Sequence, residues 1–210
     1  MMKPFYHICC LAPVASLAAC STTQVHYHTL LAPAEAEARS EKDSPFLIEL
    51  LPVGIPVQLD QAQLLVRQGN SSVEVLDSER WAGPLGDEIR AAVDARLAHH
   101  LGAQNVAGLA RSAGKPLLRV KLQVRRLDAW LGQSTQLEAD WSIGIADEAG
   151  NARLNCRGLF NAPAAGSYMQ LVQAQQRLID QLASRIADDA RAWAHTRSSP
   201  CSSIVASKVP

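Results

Sequence analysis

The chain has no excess of either charge: twenty basic and twenty acidic side chains cancel over 210 residues. A general nucleic-acid binder, which clusters Lys and Arg against phosphates, is therefore disfavoured. Beyond residue 20 no apolar run approaches the roughly eighteen residues a spanning helix needs, so the body of the chain is expected to be soluble. Cysteine is scarce. Cys9, Cys10 and Cys20 fall at the N-terminus, which leaves Cys156 and Cys201, too few for a disulfide framework. Several catalytic signatures are missing: a Gly-x-Ser-x-Gly elbow, a phosphate loop ending in Lys-Ser/Thr, His-Glu-x-x-His and Cys-x-x-Cys. No catalytic residue and no metal ligand is assigned on this basis. What the chain does have is 48% apolar content, enough for one ordinary core and one globular domain.

The N-terminus differs in kind from the rest. Lys3 supplies a positive start, and Phe5 to Leu17 is apolar but too short to span a membrane, which is the layout of a signal peptide. It ends in Leu17-Ala18-Ala19-Cys20, and small residues before a Cys resemble the bacterial lipobox. The expectation is cleavage between Ala19 and Cys20. Cys20 then receives diacylglycerol and an N-acyl chain such as palmitate, the only attached groups expected. Each buried methylene contributes about 0.8 kcal/mol, so two or three chains anchor a protein almost permanently. Loss of residues 1–19 removes Lys3 and leaves a formal charge of −1. Position 21 is Ser rather than Asp, which resembles an outer-membrane address in the enterobacterial sorting rule.

Residues 20–45 read as the lipidated Cys and a flexible tether, because residues 32–43 are small and charged with nothing to bury. His26 and His28 would share a face if extended, yet a ligand pair needs a rigid shell, so they are read as incidental. The domain is expected over 46–194 and a disordered tail over 195–210. Three strands should precede the first helix: Phe46 to Leu51, and a hairpin of Leu64 to Arg67 with Val73 to Val75. Pro84, Asp87, Glu88 and Gly102 punctuate that helix, whose apolar stripe is Leu85, Ile89, Ala92, Val93, Leu97 and Leu101. Its other face, with Arg90, Asp94 and His99, should meet solvent, and His99-His100 reads as surface histidine.

From Leu117 the apolar phase alternates, flips at Arg125-Arg126 in the manner of a bulge, and resumes at Leu127. Asp147 to Asn151 should turn the next strand into one carrying Arg153, Asn155 and Arg157. A meander of these three strands would set an acidic strand between two basic ones, so the charges read as a self-neutralising, solvated sheet face. Cys156 lies on the apolar face of its strand and reads as a buried inert thiol rather than a bridge to Cys201. The last helix opens with Ser167 and Gln170 at capping-box spacing and returns apolar residues to Trp193, while Asp188-Asp189 should face solvent. The fold class expected is α/β (α+β): one two-layer domain, a mostly antiparallel mixed sheet with two main helices packed on one face.

Three segments carry a further signal: Tyr27-His28-Thr29-Leu30, then Leu59 to Arg67, then Arg80-Trp81-Ala82-Gly83-Pro84-Leu85. In this order, and with the order of elements to Trp193, they resemble the PqiC-like family of ABC-type transport auxiliary lipoproteins. The family usually shows Tyr-Tyr at Tyr27-His28, and Leu-Asp-Arg-Pro-Gln where this chain has Leu59-Asp60-Gln61-Ala62-Gln63. The resemblance implies a non-enzymatic, periplasm-facing lipoprotein of the outer membrane within an MCE-type intermembrane lipid transport system. It implies docking on a periplasm-spanning MCE-domain protein of the PqiB type, a ring-like homo-oligomer and no nucleic acid. Trp81, a large aromatic just before a helix, is the candidate partner contact, with helix packing as its other reading. Two other classes stay open. One is a free-standing periplasmic lipid or glycolipid binder, which needs a roomy apolar cavity; the other is a periplasmic hydrolase assembled from distant residues.

Overall fold

The computed structural model describes residues 24–33, 44–110, 114–146, 152–197 and 200–201. Its elements run β1 (His26–His28), β2 (Leu47–Leu50), a 3-10 turn (Val57–Leu59), β3 (Gln63–Gln68), β4 (Ser72–Trp81), α1 (Leu85–Leu101), β5 (Leu117–Trp130), β6 (Ser134–Ile145), β7 (Leu154–Pro163) and α2 (Tyr168–Thr196). The α+β class and both helices match expectation. The single sheet does not: the described strands form a four-stranded sheet, β2-β5-β6-β7, and a three-stranded sheet, β1-β4-β3. Among the described residues four strands, not three, precede α1.

The four-stranded sheet is built on the meander that alternation dictates. β5 pairs antiparallel with β6 and β6 with β7, bringing Leu122 opposite Trp141 and Trp141 opposite Cys156 on the core face. The register of β5 on β6 slips between Val124 and Arg126, so the phase flip is a bulge. β2 joins the free edge of β5 in parallel, Leu47 opposite Leu117. The turn expected over Asp147 to Asn151 lies outside the described residues. In the other sheet β3 and β4 form an antiparallel hairpin, with Gly69 in the turn at φ 86°, a backbone region that favours glycine.

α1 buries the six residues of its stripe, and Ile89, Val93 and Leu97 are completely enclosed. Each such side chain contributes about 1.5–3 kcal/mol by leaving water. Gly102 stops the helix in the left-handed conformation, φ 59°. α2 opens on the Ser167–Gln170 capping box, runs 29 residues, packs across β6 and β7, and rests against α1. One continuous hydrophobic core joins both helices to both sheets.

Two segments expected to hang free are fixed to this core. β1 lies within the expected tether yet pairs in parallel with the end of β4, and Leu30 just beyond it is 2% exposed. Past α2, Cys201 is disulfide-bonded to Cys156 on β7, with the Cα atoms 5.7 Å apart. The inert-thiol reading of Cys156 is thus corrected, and the tail is held at 201. A strand's apolar face locates one thiol but carries no information about a partner 45 residues away.

Candidate functional site

Cys20 and Ala19, the expected lipidation and cleavage positions, lie outside the described residues. The nearest described element downstream of them is β1, and a buried polar cluster is built there. Parallel pairing sets His26 opposite Glu79 and His28 opposite Trp81, so both imidazoles flank one carboxylate. His26 Nδ1 meets Glu79 Oε1 at 2.9 Å, and His28 Nε2 meets Oε2 at 2.5 Å. Glu79 is only 6% exposed. Burial by itself pushes its carboxyl up, but the hydrogen bonds and charge of His28 and His26 outweigh burial and hold it below the ordinary carboxylate value. The histidines of the expected tether are therefore not incidental. Extended spacing was legible in the sequence, but Glu79, more than fifty residues away, was not.

The next residues are fastened from two further sides. Glu88 in the first turn of α1 accepts from Thr29 Oγ1 (2.7 Å) and from the Leu30 amide (2.9 Å), while Gln176 of α2 donates to the Thr29 carbonyl (3.0 Å). The His28 carbonyl accepts from the Ala82 amide at 2.8 Å. Residues 26–30 are in effect a clasp joining β4, α1 and α2. Among the described residues no group of three His, Cys, Asp or Glu is disposed to hold a metal ion.

Trp81, the candidate partner contact, faces the core. It is 5% exposed, and β4 turns it inward while its neighbour Arg80 stays half-buried. Its indole walls a small cavity with Leu64, Leu85, Leu127, Leu171 and Gln175. About 10 Å³ is free there, room for roughly one water and too little for an acyl chain. Gln175 is 4% exposed, and its Oε1 has no hydrogen-bond partner.

Other polar residues expected on the surface are also drawn in. Asp188 is exposed and pairs with Arg191 at 3.1 Å, but Asp189 is fully buried and accepts from Trp141 Nε1 at 3.0 Å. His100 reaches Asp180 of α2 at 3.1 Å, so one of the two adjacent histidines joins the helices while His99 remains exposed. Asp94, expected in solvent, is half-buried and accepts from Asn105; burial pushes its carboxyl up despite Asn105 and Arg90. The sheet-face charges do pair as expected. Asp140 accepts from Arg157 (2.6 Å) and Arg125 (2.7 Å), and Arg157 first, then Arg125, hold it below its ordinary value against burial.

This architecture has counterparts among solved structures. A crystal structure of an uncharacterized protein superposes with a TM-score of 0.62 at 15% identity, over 79% of this chain and 98% of the other. A DUF330-family protein from Xanthomonas campestris superposes with a TM-score of 0.52 at 16% identity, over 67% and 81%. At such identities the likeness establishes the fold alone. No curated protein matches the chain by sequence. The family model for the ABC-type transport auxiliary lipoprotein component matches residues 28–187, from the β1 clasp to the last turns of α2. The chain belongs to that family of ABC-type transport auxiliary lipoproteins.

Proposed function

We propose that this chain is the non-enzymatic, lipid-anchored subunit of an MCE-type intermembrane lipid transport system, docking the periplasm-spanning MCE-domain protein at the outer membrane. The observation that carries the reading is the family match over 28–187, placed directly behind the lipobox Leu17-Ala18-Ala19-Cys20. Diacylglycerol and an N-acyl chain on Cys20 would be its only attached groups, and Ser21 favours the outer membrane. A domain of two sheets and two helices closed around one core suits a part that is held in place and gripped, and a ring of several copies would offer a repeated surface. The cavity beside Trp81 gives the free-standing lipid binder no support, since it is too small for an acyl chain.

Co-purification tests the reading. Tagged protein extracted from membranes in mild detergent should bring down an MCE-domain protein. If intact, lipidated protein brings down none, the reading fails. Native mass spectrometry of the same preparation should show several copies in one particle, and a strict monomer would remove the ring.

A further inference from the structure

The clasp fixes how far this domain can stand from its membrane. A tether running to residue 45 would give it a leash of twenty-five residues, but the chain is already pinned at His26, six residues after Cys20. Covalent geometry limits six residues to about 20 Å. The bilayer surface therefore lies within about 20 Å of the start of β1.

Direction follows from the pairing. β1 is parallel to residues 79–81 of β4, so the chain enters β1 from the side of the β3–β4 hairpin turn. From Glu79 back to Ser72 at that turn is about 23 Å at 3.3 Å per residue, comparable to the whole leash. The chain thus enters β1 from the side on which the hairpin lies, and the six residues back to Cys20 can reach no farther than about the hairpin's length.

The hairpin's chemistry fits what lies there. Leu64, Val66 and Leu76 face the core, while Val73 and Val75 on the opposite face are 53% and 45% exposed. Tyr27, partnered with Arg80 on that outer side, is 67% exposed, and Val25, two residues earlier, is 37% exposed. Exposed valines and a tyrosine along one face suit the boundary between headgroups and acyl chains.

We propose that the outer face of the three-stranded sheet, from Tyr27 along β4 to Val73 and Val75, docks on the bilayer that holds Cys20, so that the anchor and the hairpin together set the domain's orientation. The proposal rests on the lipidated-Cys20 reading. It does not depend on the identity of the partner.

The test uses the full chain, processed and reconstituted into phosphatidylethanolamine and phosphatidylglycerol vesicles, with the Cys20→Ala protein in solution as reference. Hydrogen exchange is followed by mass spectrometry over residues 68–76. Exchange should slow at least about threefold on vesicles, and Val73→Asp with Val75→Asp should abolish the slowing while the rest of the domain keeps its protection. The same mass spectra read the acyl chains on the N-terminal peptide. Acylated Cys20 with unchanged hairpin exchange overturns the docking surface alone; absence of acyl chains overturns the anchor and the surface together. Protection that appears in the lipid-free protein and grows with its concentration assigns the face to a second copy, which also overturns the proposal.

Discussion

Glu79 illustrates how much one buried side chain can organise. It serves two imidazoles with its two oxygens, and its folded-state pKa lies below the ordinary value near 4.5. For a carboxyl depressed by folding, the unfolded chain binds the proton more readily. The stability it contributes is therefore full above the ordinary value and is lost as pH falls through the folded one. Glu79→Gln should cost about 1–3 kcal/mol near neutral pH, since hydrogen bonds to a charged group are lost. In urea unfolding measured across pH, the difference between parent and variant should shrink below about pH 4.5. A difference that stays constant with pH would show that the carboxylate charge does not hold β1. None of this was legible at residues 26–28, where two histidines in a polar stretch look idle. Asp188-Asp189 teaches the same lesson: which of two adjacent carboxylates meets Trp141 depends on how α2 is rolled against β6, and side-chain type does not record that roll.

At the scale of elements, periodicity carried most of the information. The stripe of α1 is buried residue for residue, the capping box forms, and the bulge falls at Arg125-Arg126. These features are local, so a few successive residues suffice to encode them. β1 escaped because three residues are too few to show alternation, and because two of the three are exposed. The bond from Cys201 to β7 escaped for a related reason, since it joins a segment without period to a strand. It closes a loop of 45 residues, and in the chain-entropy view such a link contributes about 2–4 kcal/mol by restricting the unfolded chain. Cys201→Ser should lower the melting temperature, and reductant should lower that of the parent protein but not of the variant. Equal sensitivity of both to reductant would rule out the bond as the cause.

For the molecule as a whole, the two fixed ends change how anchoring is understood. The clasp pins the chain at His26, six residues after Cys20, and the disulfide holds residue 201 against the sheet. Cys20→Ala should give a domain that folds normally, with unchanged circular dichroism, and that moves from the membrane to the soluble fraction. Retention of the variant on membranes through a high-salt wash would show that something other than lipid supplies the main attachment. In the proposed docking, placement on the bilayer is a joint property of anchor and hairpin, one covalent and one geometric.

What the sequence determined by itself is what neighbouring residues can encode: two helices with their caps, a meander with its bulge, and motifs placing the chain in its family. What the tertiary structure alone decided is what depends on closure over long separations. It divided the strands into two sheets, brought Glu79 to the histidines of a supposed leash, turned Trp81 inward and joined Cys156 to Cys201. The physical reason is that a pattern of apolar residues states which face is buried, whereas the identity of the element that buries it is settled only when the whole core packs.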